Sequence, residues 1–487
     1  MSISGSLNNA FSGLTAAARG AEVVSQNLAN VLTEGYGRRE LLLSTRSLAG
    51  AGAGVRVDGI ARVVNQVVLS DRRLAEAAQS SQQALRDFHA QVESLVGAPG
   101  EPGALTTRLD ELEAALVAAA SRPDSGPRLD AVLAAAQGLS GQFVAISNGI
   151  QEQRMAADAA IAGEVDRLNT ALERIVELNR DIRVELASGR DTTAFQDERQ
   201  RLIDAVSEIV PLREIPREDG QVALFTTGGA VLLDGLAGEI GFTATATITP
   251  DMTLASGALS GLSFRGLPAT ASATAGMLGG GTLGALMTIR DELAPAAQTR
   301  LDAVARDLVE RFEDPAADPS RAPGAPGLFT DRGAALSAAY EVGLAARLAV
   351  NAAVDPARGG ALWRLRDGLG AAVPGPVGQA AGLNALAAAL SAQRTPASGA
   401  FVGGARSASG LAAEFLSGVG VARQTTESGL AYASARAEAL KSAELAEGVD
   451  SDRELQHLLL VEQAYSANAR VLSAAEAMLD RLMEIGR

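Results

Sequence analysis

The chain has 487 residues and no cysteine. That excludes disulfides, thiolate nucleophiles, cysteine zinc sites and iron–sulfur clusters together. Histidine is nearly absent as well: His89 and His457 lie far apart in the sequence, which rules out an H-E-x-x-H zinc site and any histidine-rich metal centre. Aromatic residues make up only 3%, and alanine and glycine fill their place. A core of small side chains suits closely packed helices better than one thick globular centre. Lysine occurs once, at Lys441, and the formal net charge is −15. A nucleic-acid partner demands a basic face, so none is expected. No basic stretch followed by an apolar core opens the chain, and no run approaches the ~20 apolar residues of a bilayer span. Neither a cleaved secretory signal nor a membrane partner is expected.

What is present is heptad spacing at both ends. Leu7, Leu14, Ala21 and Leu28 are seven apart, and Ile3, Ala10, Ala17, Val24 and Val31 form a second set offset by three. The two sets predict a helix with a narrow, coiled-coil-like seam that stops near Asn30, before Gly35 and Gly37. At the other end, Leu458, Tyr465, Leu472 and Leu479 pair with Val461, Asn468, Ala475 and Leu482. This second helix spans ~35 residues, or ~50 Å at 1.5 Å per residue. Neither stripe has a local cover. The terminal helices are expected to cover each other, neighbouring subunits, or both.

Two further long helices are predicted by steps of three and four. One runs from Ile60 to Leu95 and the other from Gln151 to Ala187. From Leu212 to Met277 the character changes to threonine and glycine. Phe242, Ala244, Ala246 and Ile248 alternate with threonines and predict a strand, and Asp219-Gly220 predicts a hairpin turn. Helix resumes near Leu283 and continues to Phe312; a proline-rich loop follows from Asp314 to Gly327. Residues 332–410 carry weak patterning, and the last helices begin near Leu411. The fold class is mainly α with a small inserted β domain. The architecture is elongated and multi-domain, with long helices and paired, coiled-coil-like N- and C-terminal helices. The expected domains are a terminal helical unit (1–59 and 441–487), a helical domain (60–211 and 283–440) and the β insert (212–282).

Candidate chemistry is sparse. Gly279, Gly281 and Gly284 satisfy G-x-G-x-x-G, which would place a nucleotide-binding enzyme among the alternatives. The motif needs a buried apolar strand before it, and Thr270–Ala275 is too polar to be one. The acidic pairs Asp110-Glu111 and Asp197-Glu198 read as solvated faces, and Arg38-Arg39 lack a surrounding basic field. No catalytic, cofactor-binding or metal-binding residue is assigned. No cofactor is expected, and the chain is read as no enzyme. The remaining local signal is Asn27 and Asn30 followed by Gly35-Tyr36: a helix end, a turn with positive φ, and a rigid amphipathic anchor.

Asn8-Asn9-Ala10-Phe11-Ser12-Gly13-Leu14 and the Asn27, Asn30, Gly35, Tyr36 pattern resemble the N-terminal signature of the bacterial flagellar axial family, the rod, hook and hook-associated proteins. Gly448-Val449-Asp450, Glu454-Leu455 and Glu462–Arg470 resemble its C-terminal half. Three stretches resemble the hook–filament junction branch: Gly54–Arg62; Ile175–Asn179 together with Asp197–Ile203; and Gly35-Tyr36-Gly37-Arg38. Glu34 stands where the family often has proline. The resemblance implies a structural protein of the hook–filament junction, located outside the cell and exported without a cleaved signal peptide. It further implies self-association in a ring and contact with the hook protein and with a second junction protein, hook-associated protein 3. An export chaperone would cover the C-terminal helix. A hook or distal rod protein is the alternative within the family. The implied assembly seam comprises Leu7, Leu14, Val24, Leu28, Leu458, Val461, Tyr465, Asn468, Leu472, Leu479 and Leu482, and the turn motif comprises Asn27, Asn30, Gly35 and Tyr36.

Overall fold

The structure is a computed structural model that describes residues 3–33, 35–48, 51–399, 401 and 403–485. Glu34, the departure from the family pattern, lies outside the described residues. The chain opens with α1 (Ile3–Ala29), then a hairpin of β1 (Arg38–Leu48) and β2 (Ala51–Val63). Three helices follow: α2 (Gln66–Val96), α3 (Leu105–Ser121) and α4 (Gly126–Ala187), and α5 (Thr193–Ile209) leads into the β insert.

The helix expected from Ile60 therefore begins six residues later. Ile60 to Val63 complete β2, where Arg38 pairs with Val63 and Leu41 with Ile60. β-Branched residues favour the strand, and Asn65 fixes the helix start. Its side chain accepts hydrogen bonds from Val67 N (3.0 Å) and Val68 N (3.3 Å). The helix expected from Gln151 instead starts at Gly126 and runs for 62 residues, about 90 Å.

The insert holds two small antiparallel sheets. In the first, β3 (Leu212–Pro216), β4 (Val222–Thr226), β5 (Val231–Asp234) and β6 (Leu236–Ala237) lie side by side in sequence order. The second orders β7 (Ile240–Gly241), β8 (Leu262–Phe264) and β9 (Leu267–Ala269). The Asp219-Gly220 turn is where the spacing put it: both residues have positive φ, 54° and 71°, as a primed hairpin turn requires. The strand expected over 242–248 does not form. That segment is pinned to α4 by side chains: Asp158 accepts from Thr245 N (2.6 Å), and Arg154 donates to Thr249 O (3.2 Å).

The C-terminal half starts with α6 (Gly281–Thr288) and α7 (Ala294–Glu313), joined by a π-type turn at Ile289–Leu293. Pro295 explains the turn, since its ring cannot donate into the helical ladder. The weakly patterned region folds as short pieces: β10 (Phe329–Asp331), α8 (Leu344–Arg347), β11 (Leu348–Val350), α9 (Arg364–Asp367) and α10 (Ala381–Ser391). The chain ends with α11 (Ala408–Glu447) and α12 (Ser451–Ile485). Helix α11 packs along α2, and α12 along α1.

Two hydrophobic cores lie along α4. Its first half, Leu129 to Ile150, packs with α2, α3, α7, α10 and the start of α11. Its second half, Ile161 to Ile175, packs with α5, α6 and both small sheets. The β insert thus shares its core with α4 and α5. By length and composition α4 would cross a bilayer, yet its apolar residues are these cores.

Between the cores the helix is polar but buried. Ser147 and Gln151 both donate to Gln298 Oε1, at 3.0 and 3.1 Å. Arg154 donates to Arg290 O (2.8 Å), and Asp158 pairs with Arg290 at 2.7 Å with both side chains fully buried. Removing one partner of such a pair strands the other charge in a low dielectric. Asp158→Ala should therefore cost about 3–5 kcal/mol, whereas exposed Asp110→Ala should stay within about 0.5 kcal/mol of wild type. Urea denaturation of the full chain checks this, and equal midpoints for the two variants would contradict it.

Candidate functional site

The terminal helices form an antiparallel pair. A Cβ placed on Gly13 would lie 2.6 Å from the Asn468 side chain, and one on Gly20 would lie 3.3 Å from Val461. Seven residues separate the contacts on each helix, and the numbers run in opposite directions. Asn468 carries its polarity within its own helix, donating to Ala464 O at 2.9 Å. Helix α1 has a second cover in the hairpin, where Ser12 Oγ accepts from Val55 N (3.2 Å). Its buried face is consequently wider than one seam and includes Ala16, Gly20 and Val23 as well as Ala10, Ala17, Val24 and Asn27.

Among the seam residues read from spacing, Val24 is fully buried. Leu7, Leu14, Leu28, Leu458, Val461, Asn468 and Leu472 are half-buried. Tyr465, Leu479 and Leu482 are open to solvent, Leu482 at 54%. The buried residues of α12 are only Glu454 and Ala475. Leu459, Leu460, Met478, Met483 and Ile485 add to its exposed apolar surface.

The turn motif is a single hydrogen-bonded unit. Asn27 Oδ1 accepts from Tyr36 OH (2.8 Å) and Arg39 N (2.9 Å), and its Nδ2 donates to Arg39 O (2.9 Å). The amide imitates a strand partner and clamps β1 to α1. Asn30 closes the helix end: its Nδ2 donates to Gln26 O (2.9 Å), and its Oδ1 accepts from Thr33 Oγ1 (3.2 Å). Gly35 has φ 74°, and a Cβ there would lie 2.5 Å from the Arg201 side chain, so both conformation and space favour glycine. The Arg39 guanidinium sits over the Tyr36 ring, 5.0 Å from its centroid.

Asp197, in α5, ties this unit to the helical body. Its Oδ1 accepts from Arg62 Nε (2.6 Å) and Gly37 N (3.1 Å), and its Oδ2 accepts from Arg39 Nη2 (3.2 Å). Arg62 also donates to Gly35 O (3.1 Å). On the other side, Arg38 pairs with Glu454 of α12 at 2.9 Å. A second set lies alongside: Arg72 and Arg73 of α2 pair with Asp204 at 2.7 and 2.6 Å, Arg73 with Glu214 at 2.7 Å, and Arg72 with Glu444 of α11. Asp197 is thus no solvated residue, and Arg38-Arg39 are no surface patch. The sequence signal was the five-residue run Asp197–Arg201, whose mixed charges fit a surface helix equally well. Glu198 alone keeps the exposed role, pairing with Arg174.

The other candidates are structural. His457 is exposed and His89 lies edge-on to Phe88, with burial lowering its pKa. Gly281 lets the start of α6 approach α5, since a Cβ there would lie 2.7 Å from Glu208 O. The strand before this glycine run, β9, is a three-residue antiparallel edge strand that ends at Ala269, not the buried parallel strand that a dinucleotide loop needs. Among the described residues no group of three or more histidine and carboxylate side chains is placed to hold a metal ion.

Tyr36 gives the turn a pH signature. Burial pushes its phenol from 10.0 up to about 12; Arg39 opposes the rise, and Asp197 and Glu454 add to it. The neutral phenol is the form that donates to Asn27. Its contribution to stability is complete below about pH 10 and is lost as pH rises toward about 12, because the unfolded chain releases the proton first. The difference between phenolate absorbance titrations of wild type and Tyr36→Phe should show one group titrating near 12. A difference centred near 10 while the chain remains folded would contradict this placement.

Comparison with known proteins agrees with this architecture. Residues 89–327 match the family model described as flagellar hook-associated protein FlgK helical domain. Residues 445–485 match the flagellar basal body rod FlgEFG protein C-terminal model. Flagellar hook-associated protein 1 of Escherichia coli (strain K12) is 23% identical over 236 residues, covering 47% of this chain and 43% of the relative. Its counterpart in Salmonella typhimurium is 25% identical over 236 residues, covering 47% and 42%. The chain matches less than half the length of these curated relatives. The solved flagellar hook junction protein FlgK from Burkholderia pseudomallei aligns with a TM-score of 0.44 at 19% identity, over 54% of this chain and 46% of that one. The chain matches the flagellar hook-associated protein family in its helical domain and the flagellar rod proteins at its C-terminus, both of them families of structural axial proteins.

Proposed function

We propose that the chain is a subunit of the junction between hook and filament, assembled as a ring through its terminal helices. The observation that carries the reading is the exposed apolar surface of α12. Leu459, Leu460, Met478, Leu479, Leu482 and Met483 are all exposed along it, more apolar surface than one solvated helix has use for. The domain limits of the sequence reading fit this role: a body at 60–211 and 283–440, the β insert at 212–282, and an assembling unit at 1–59 and 441–487. In the ring, α1 and α12 line the inner tube and the β insert faces outward. The hook protein lies on one side and a second junction protein, hook-associated protein 3, on the other. Before assembly an export chaperone covers α12, and the chain leaves the cell without a cleaved signal peptide. Within the family, the match of residues 445–485 to a rod-protein model favours a hook or distal rod protein as the second reading. The helical-domain match over 89–327 supports the junction instead.

The test uses the exposed side of α12. Leu482→Asp alters a side chain already in solvent, so the unfolding transition of the purified chain should stay within about 0.5 kcal/mol of wild type. In cells it should stop assembly at the junction, leaving hooks without filaments and filament subunits in the medium. Arg470→Asp, also on the α12 surface, should retain motility. Immunogold labelling of flagella completes the test, with the label expected as one band between hook and filament. Label along the hook or rod, or motility retained by Leu482→Asp, would contradict the junction reading.

A further inference from the structure

A cleft of about 230 Å³ opens between α2, α5 and the β3–β4 hairpin. Arg62, Arg199 and Arg217 line it, and Glu214 is its single lining carboxylate. The charges are unevenly matched. Arg62 is neutralised by Asp197 (2.6 Å) and Arg217 by Asp234 (2.9 Å), while Glu214 is held by Arg73 (2.7 Å). Arg199 is 8% exposed and forms no ion pair among the described residues. Its Nη1 donates to Asn179 Oδ1 (2.7 Å) and Gly220 O (2.8 Å). The guanidinium hydrogens on Nε and Nη2, three of its five donors, have no acceptor among the described residues.

A buried cation without a counter-charge is costly. Burial drives the Arg199 pKa down to about 10; Glu214 opposes the fall, and Arg62 deepens it. The whole chain carries −15, so no general field draws anions to this surface and any that bind are held locally. Gln66, Gln196 and Gln221 add amide donors at the cleft wall.

We infer that this cleft binds a small oxyanion, whose oxygens accept from the free Nε and Nη2 hydrogens of Arg199. A planar guanidinium fork suits both carboxylate and phosphate oxygens. The two sources are a free phosphate-type ion and an aspartate or glutamate carboxylate presented by a second copy of the chain.

Thermal unfolding of the full chain tests the inference, with sodium phosphate and sodium acetate each compared with sodium chloride at equal ionic strength. At least one oxyanion should raise the melting temperature saturably, by about 2–4 °C. A larger response to phosphate identifies the free ion, and a larger response to acetate identifies the carboxylate. Arg199→Gln should abolish the response. Gln221→Glu is the companion variant: it supplies a carboxylate at the cleft wall, keeps Arg199, and should remove the response without loss of fold. No saturable shift beyond chloride in the wild type would overturn the inference, as would an undiminished shift in Gln221→Glu.

Discussion

The terminal helices are held to the body by charge and hydrogen bonds, not by a shared hydrophobic core. Neither core along α4 contains a residue of α1, β1, β2 or α12. The connection runs through Asp197, which joins Arg39, Arg62 and Gly37, and through Glu454, which joins Arg38. Such bonds are directional. Half-buried, they escape most of the salt screening that weakens exposed pairs. They fix an angle between two units while adding little of the non-specific adhesion that apolar burial brings. That leaves the exposed apolar residues of α12 uncommitted within the chain, and the proposed assembly role rests on them.

The same division separates two demands on one sequence. The body folds around cores whose residues, such as Phe143, Ile146 and Leu172, are fully buried. The terminal pair buries mostly alanine and glycine, which allows close helix approach but gives little area per residue. On the proposed function, a substitution on α12 acts on association, whereas one at the polar girdle between the cores acts on the fold itself.

Periodicity made the long helices legible, because 3.6- and 7-residue spacings survive without tertiary context. Asp219-Gly220 was legible for a similar reason, since a primed turn needs particular residues at two positions. The hairpin β1–β2 was not. Ile60 of β2 and Val64 just after it also satisfy helical steps, and only Asn65, read as a cap, separates strand from helix. The threonine-rich segment 242–248 alternates as a strand does, yet it is held by Asp158 and Arg154 from 80 or more residues away in sequence. At the site, Asn27, Asn30, Gly35 and Tyr36 stood out because caps and positive φ restrict residue type. Asp197 did not, because a carboxylate among arginines on a helix has the same local pattern exposed or buried. Tyr465, Leu479 and Leu482 keep the heptad spacing yet are exposed, Tyr465 beside Ala17, Ala18 and Ala21 of α1, so spacing alone could not tell which seam positions are buried.

The central claim is that Asp197 sets the position of the terminal helices on the body. The absence of cysteine makes a direct measurement simple, because two introduced cysteines are the only sites a spin label can take. Labels at exposed Ser466 on α12 and exposed Glu173 on α4 report the distance between the two units by pulsed electron resonance. The account predicts a narrow distribution in the otherwise wild-type chain and a broad one when Asp197→Ala is added, with the urea midpoint of the body little changed. An equally narrow distribution in the Asp197→Ala background would contradict it.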